Sequence, residues 1–354
     1  MRHIHRVPII LAAIGLTAAM LVAACGGDNS KTTPTPSSGA TTTQTANGSP
    51  SAAASAATPT AAYPVTVTDL LGRSVTIKSK PITIVALSPT AVEFVYAAGG
   101  TVAGRTDTVD YPPAAKSATD IGSAYQPSME KVLSLKPDLI VADSIIDAQP
   151  QLMSAITATG IPTIFAGVDS YQKVLDGLTL MGKVLDNSSA TNAVAANVTK
   201  ARDDAKAALA GKNISALAIT ADQDQVLYGA KTDSYAGDIL AQLGISNPAS
   251  TLPDSGPFPG YTTLAQEKII EFNPDYIFTV TPAPPPVPRL ATTIPQIPAF
   301  ASLKAVQNHH VFEAPVELIE APGPRIIDAF SAITNAILGG NSSTASPAAS
   351  STAH

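Results

Sequence analysis

Apolar residues in this chain fall in short blocks separated by polar turns, and one such pattern occurs twice. Glu130-Lys131-Val132-Leu133-Ser134-Leu135-Lys136-Pro137-Asp138-Leu139-Ile140-Val141 is matched in register by Glu267-Lys268-Ile269-Ile270-Glu271-Phe272-Asn273-Pro274-Asp275-Tyr276-Ile277-Phe278, 137 residues later. Each copy predicts a short amphipathic helix, a Pro-Asp stop and an apolar strand. Proline disfavours helical geometry in the residue before it, so the helix ends there. The following run of Leu, Ile, Val, Tyr and Phe suits a buried parallel strand. Two copies of one αβ unit imply two similar lobes.

The flanking pattern extends each lobe. Residues 65–69 and 74–77 bracket Leu70-Leu71-Gly72-Arg73 as a β-hairpin. A strand over 82–87 leads through Ser88-Pro89-Thr90 into a helix past Glu93 to Ala98, then a short strand at 102–104 and a polar loop over 105–126. After the first copy come a helix near 149–159 and a strand at 163–165. Strands alternating with helices predict a parallel sheet covered on both faces. Residues 170–185 and about 190–209 read as helices broken at Asp186-Asn187-Ser188, with no strand between them. This segment is expected to connect the lobes as one long helix plus a packing helix. The second lobe offers strands at 215–220 and 226–228, a helix near 235–243, the second copy, a Pro-rich crossing over 281–298, and a strand at 311–313. A final helix runs from near Pro324 to Leu338. The expected division is an N-terminal lobe over 63–169, connecting helices over 170–210 and a C-terminal lobe over 211–338.

The two ends of the chain follow another pattern. Arg2 and Arg6 precede an apolar run over 7–22, too short and too quickly followed by small residues to span a membrane. The run ends in Val22-Ala23-Ala24-Cys25, which resembles a bacterial lipoprotein lipobox. That resemblance implies removal of residues 1–24 and a lipid on the Cys25 sulfur. Residues 26–62 are Thr, Ser, Ala, Pro and Gly with almost no large apolar side chain. They cannot bury enough surface to offset ordering entropy, so 25–62 is expected to be a disordered, lipid-anchored tether averaging roughly 35 Å end to end. The tail over 339–354 has the same character.

Composition narrows the function. Charged residues are only 14% of the 354, below the roughly 25% of average proteins. A net charge of −6 lacks the basic footprint of a nucleic-acid binder. The single cysteine, Cys25, leaves no intramolecular disulfide. No metal-ligand spacing, phosphate loop or dinucleotide fingerprint occurs, so neither a resident metal nor a cofactor is expected. The histidines of the body, His309 and His310, are adjacent and read as an exposed turn rather than a catalytic base, so an enzyme is the weaker class. A surface adhesion or sensor module would leave the duplicated lobes unexplained.

Several segments together resemble the solute-binding proteins of ABC importers for vitamin B12 and ferric siderophores. They are Asp69-Leu70-Leu71-Gly72-Arg73-Ser74-Val75, Ile84-Val85-Ala86-Leu87-Ser88-Pro89 with Glu93, and Asp110-Tyr111-Pro112-Pro113. Both repeat copies, Ser234-Tyr235-Ala236-Gly237-Asp238 with Leu243-Gly244, and Gly323-Pro324-Arg325 complete the set. The resemblance covers 65–338. It implies an α/β fold of two Rossmann-like lobes joined by a long interlobe helix, with the ligand cleft between them. It also implies a monomer that delivers its ligand to a permease dimer with its ATPase. Thr83 and Ala265 depart from the Arg and Ser usual in the family.

A cleft in such a fold lies outside the carboxyl ends of the strands. The loops expected there carry Tyr111, Tyr125, Tyr228, Phe258 and Tyr261, aromatic faces suited to a flat chelate. The plainer alternative is that each ring covers the core beneath its loop. In B12-binding relatives the Asp-Tyr-Pro-Pro loop contacts ligand, which favours Tyr111; Tyr125 stands where they carry Trp. Arg105 could pair with an anionic ligand or be a rim charge, and Arg325 reads as structural. Glu317 falls near a position acidic in B12 binders. The resemblance further implies that Glu130 and Glu267 dock into arginine pockets of the permease. The ligand expected is a corrinoid or a ferric siderophore, with haem or a small oxyanion as the alternative.

Overall fold

The computed structural model describes residues 63–281, 286–314 and 321–339. It opens on the hairpin β1 (Val65–Thr68) and β2 (Ser74–Ile77), paired antiparallel. Asp69 closes the turn. Its carboxylate accepts from the Leu71 amide at 3.1 Å and the Arg73 amide at 2.9 Å, and holds the Arg73 guanidinium at 2.6 Å. Arg73 lies over the Phe165 ring at 4.4 Å and donates to the Thr163 carbonyl, which pins the hairpin to the first sheet.

That sheet contains β3 (Ile84–Ala86), β4 (Gly104–Arg105) and β5 (Thr119–Asp120). A small hairpin of β6 (Gly122–Ser123) and β7 (Gln126–Pro127) interrupts before β8 (Leu139–Asp143) and β9 (Thr163–Gly167). Its order is β5-β4-β3-β8-β9 and every pairing is parallel. Helices α1 (Pro89–Ala97), α2 (Met129–Ser134), α3 (Ser144–Asp147) and α4 (Pro150–Ala158) supply its crossovers. Side chains alternate between two cores. Ile84, Ala86, Leu139, Val141, Ile164 and Ala166 face one, and Val85, Leu87, Ile140, Ala142 and Phe165 face the other. Both faces are covered, which is why these strands are apolar throughout.

Two helices follow without a strand. α5 (Tyr171–Val184) is capped by the Ser170 hydroxyl, and α6 (Ser188–Leu209) by the Asn187 side chain. Between them Asp186 takes a left-handed φ of 51°. The 22 residues of α6 span roughly 33 Å. Only Thr191, Val198, Ala205 and Leu209 are buried along it, one narrow stripe on an otherwise solvated helix.

The second sheet is built from β10 (Ala216–Ala221), β11 (Leu227–Ala230), β12 (Tyr261–Thr263), β13 (Tyr276–Val280) and β14 (Val311–Glu313). Its order, β12-β11-β10-β13-β14, matches the first sheet strand for strand. The match stops at β11, which runs antiparallel to both of its neighbours, β10 and β12. The link from β10 to β11 is a tight turn with no room for a crossover helix, so only antiparallel pairing is available. Helices α7 (Tyr235–Gln242), α8 (Gln266–Phe272), α9 (Leu290–Thr293), α10 (Lys304–Gln307) and α11 (Ile326–Gly339) complete this half. α11 packs on α6, and one apolar core runs from Ile84 through Val174, Val198 and Phe330 to Ala218 and Phe278. Both sheets therefore share a core through α5, α6 and α11.

The repeated sequence makes repeated structure. Lys136 and Asn273, each just before the repeated proline, adopt φ of 51° and 41° and end their helices in the left-handed region. Each repeated aspartate then clamps the start of the neighbouring strand. Asp138 accepts from the amides of Ile82 and Thr83 at 2.9 and 3.1 Å, and Asp275 from the Ser215 amide at 3.0 Å. The Asp138 amide donates back to the Thr83 carbonyl, and the Asp275 amide to that of Ser215. Helix starts differ between copies. Ser128 caps α2 through the Lys131 amide at 3.3 Å, whereas α8 begins at Ala265 with no side-chain cap. A capping box from Thr263 and Gln266 does not form, because Thr263 is the last residue of β12 and its amide is bound to Ser255.

Candidate functional site

The carboxyl ends of β9, β10 and β13 point into a cavity of about 1150 Å³ between the two sheets. From the first half of the chain come Tyr125, on the β6–β7 hairpin, and Val168 and Asp169 just past β9. The second half contributes the turn after β10, the start of α7, the loop before β12 and the segment after β13. Tyr125, 69% exposed, is the most open ring of the site. Across from it, Phe258 meets Tyr228 edge-on at 5.2 Å and Tyr261 at 6.2 Å. Gly256, with φ of +91°, makes this arrangement possible, since a Cβ there would lie 2.6 Å from the Tyr228 ring. Tyr228 is itself 5% exposed and supports Phe258 from behind rather than lining the cavity.

The polar lining is acidic. Asp169, Asp222, Asp224 and Asp233 border the cavity, together with Gln223 and Gln225. Asp222 accepts the Tyr228 hydroxyl at 2.8 Å and the amides of Asp224 and Val226, which holds its carboxyl below the usual range. The same bond raises the Tyr228 hydroxyl. Among the described residues no three His, Cys, Asp or Glu converge to hold a metal ion.

Next to the segment of the lining residue Pro322, Glu93 on α1 receives the Arg325 Nε at 2.7 Å. Gly323 lets the backbone pass over this carboxylate, since a Cβ there would lie 2.8 Å from Oε2. Burial pushes the Glu93 carboxyl up to about 7 despite Arg325 beside it. Burial and the Glu93 charge also raise the Tyr235 hydroxyl well above its ordinary value. Arg325 lies over the Tyr111 ring at 5.0 Å, so Tyr111, 47% exposed, sits beside the segment that carries the lining residue Pro322.

The sequence profile described as periplasmic binding protein matches residues 84–318, which span both sheets. The chain belongs to the periplasmic binding protein family. An uncharacterised ABC transporter substrate-binding lipoprotein, YvrC of Bacillus subtilis, is 25% identical over 78% of this chain and 87% of its own length. A cobalamin-binding protein of Halobacterium salinarum is 25% identical over 78% of this chain and 74% of its own. The fold is shared with the petrobactin-binding protein YclQ of Bacillus subtilis, at a TM-score of 0.66 and 22% identity over 78% of this chain and 98% of that one. A periplasmic binding protein of this kind is an extracytoplasmic solute-binding component of an ABC importer, and it is not an enzyme.

This periplasmic binding protein brings some of the sequence-picked residues together and separates others. Tyr125, Phe258 and Tyr261 border the cavity. Tyr228 lies behind them, and Tyr111 lies against Arg325, outside the described lining. Arg105 is turned into its own loop, donating to the Thr106 carbonyl at 3.0 Å and meeting Asp120 at 3.4 Å, with its side chain 15% exposed. It is not among the described residues that border the cavity. Glu317 and Cys25 lie outside the described residues. Glu130 and Glu267 occupy the first turns of α2 and α8, exposed and without an ion pair among the described residues. Missed from sequence were the aspartates of the lining and the Glu93–Arg325 pair. Asp169 and Asp222 could have been found as carboxylates within two residues of an apolar strand's carboxyl end.

Proposed function

We propose that this chain is a lipid-anchored binding protein that captures a metal chelate, a corrinoid or a ferric siderophore, and hands it to an ABC permease dimer driven by its ATPase. The cavity carries this reading. At about 1150 Å³ it exceeds the roughly 300–1,000 Å³ of ordinary small-molecule pockets, and it presents aromatic rings from both halves of the chain at the strand ends. The same reading takes the lobes as 63–169 and 211–338 with 170–210 between them, a monomer in solution, and Cys25 as the lipidated residue at the head of the 25–62 tether.

Glu130 and Glu267 are the permease-docking residues in this proposal. A carboxylate in the first turn also complements its helix dipole, worth about 0.3–1 kcal/mol, and that local effect suffices for either glutamate alone. It does not account for equivalent exposed charges on two related lobes. Charged pairs of this type set orientation and encounter rate more than affinity. Reversing both, Glu130→Lys with Glu267→Lys, is expected to abolish uptake while ligand affinity and melting temperature stay nearly unchanged. Parallel loss of stability and uptake would support the dipole account instead.

A further inference from the structure

The charge of the cavity wall sorts the chelates that the proposed function admits. Four carboxylates, Asp169 from the first half and Asp222, Asp224 and Asp233 from the second, border the cavity, and among the described residues no lysine or arginine does. Cations in the surrounding structure are engaged elsewhere. Lys231 pairs with Asp254, Arg105 with Asp120 and Arg325 with Glu93, while Arg289 donates to the Thr281 carbonyl. Residues 282–285 and 315–320, which adjoin the lining residues Thr281 and Pro322 in sequence, contain no Lys or Arg, and the second segment contains Glu317 and Glu320. Within the cavity wall the Tyr235 hydroxyl, on a residue 6% exposed, has no hydrogen-bond partner of good geometry among the described residues, the Gly323 amide being near it. A neutral phenol at this place can donate to a ligand oxygen.

We propose that this cleft selects neutral or cationic chelates and rejects polyanionic ones, with Asp169, Asp224 and Asp233 as the discriminating side chains. The proposal rests on the chelate-binding reading above. A ligand bearing carboxylates or catecholates would bring like charge against the wall in a partly desolvated space, where repulsion is far less screened than in water. A ligand rich in amides gains acceptors from the same carboxylates, and a cationic one gains the faces of Tyr125 and Phe258 as well. Discrimination here comes from the repulsive element as much as from attraction.

The test is equilibrium binding to the full chain in detergent at low ionic strength. The probes are cyanocobalamin (neutral), ferrioxamine B (cationic), and ferric citrate and haem (anionic). The tighter of the first two is expected to bind on the order of 100-fold better than either anion. The variant Asp169→Asn, Asp224→Asn, Asp233→Asn should narrow that ratio about tenfold with an unchanged melting temperature, and so should raised salt. An anion bound best, or a ratio unmoved by the three substitutions, overturns the selectivity while leaving the chelate reading intact. Binding of none of the four probes overturns the chelate reading, and the selectivity with it.

Discussion

Arg325 Nε donates to Glu93 Oε1 at 2.7 Å, joining residues 232 positions apart: one on the first helix of the first sheet, one at the start of the last helix. Burial dominates this pair and lifts the Glu93 carboxyl from 4.5 to about 7. A raised folded-state value means that the folded protein holds the proton more tightly than the unfolded chain. The resulting stabilisation is complete below pH 4.5 and is lost as pH rises through about 7. Thermal melts are expected to show stability falling across that window, by at most on the order of 3 kcal/mol. Asp328 shifts in the same direction through its own burial, so the reading is the difference between the native chain and Glu93→Gln. A flatter profile in the variant is predicted, and an identical one would contradict the assignment.

The aspartates of the repeat carry a matching structural prediction. Asp138→Ala strips the two amides just before β3 of their acceptor, and Asp275→Ala strips the one just before β10. Each is expected to cost about 1–3 kcal/mol in denaturant unfolding. Because they serve separate sheets, the double variant should lose the sum of the two within about 0.5 kcal/mol. Near-neutral single variants would show that the clamps are dispensable.

Much of this architecture was legible in the sequence because both repeat copies obey local rules. The proline after Lys136 and Asn273 stops each helix, and the apolar runs at 139–143 and 276–280 become strands buried on both faces. The end of α8 was readable on those grounds, whereas its beginning was not. Thr263 has capping chemistry, yet tertiary pairing draws its backbone into β12. The reversed β11 was likewise hidden, since its direction depends on the length of the link after β10 rather than on apolar pattern. Of the loop aromatics, Tyr125, Phe258 and Tyr261 border the cavity. Ring type alone could not separate these from Tyr228, whose hydroxyl bond to Asp222 holds it behind Phe258. The two readings of Arg105 stayed open for a related reason: its partner Asp120 is 15 residues away and adjacent only through β4–β5 pairing.

The anchor is tested separately from the fold. Cys25 lies outside the described residues, and the proposal gives it only the lipid. Cys25→Ser is therefore expected to move the protein from the membrane fraction to the soluble one without changing its melting temperature. Retention on membranes after a salt wash would rule out the lipid anchor.

The central claim is that the cavity bordered by Tyr125, Phe258 and Tyr261 holds a metal chelate. The most direct measurement is the visible spectrum and mass of the small molecule that stays with the protein when it is purified from cells supplied with cobalt and iron. The account predicts a stoichiometric corrinoid or ferric chelate that is lost when Tyr125→Ala and Phe258→Ala are combined. A retained molecule without metal, such as a sugar or peptide, or a chelate held equally well by the double variant, would contradict it.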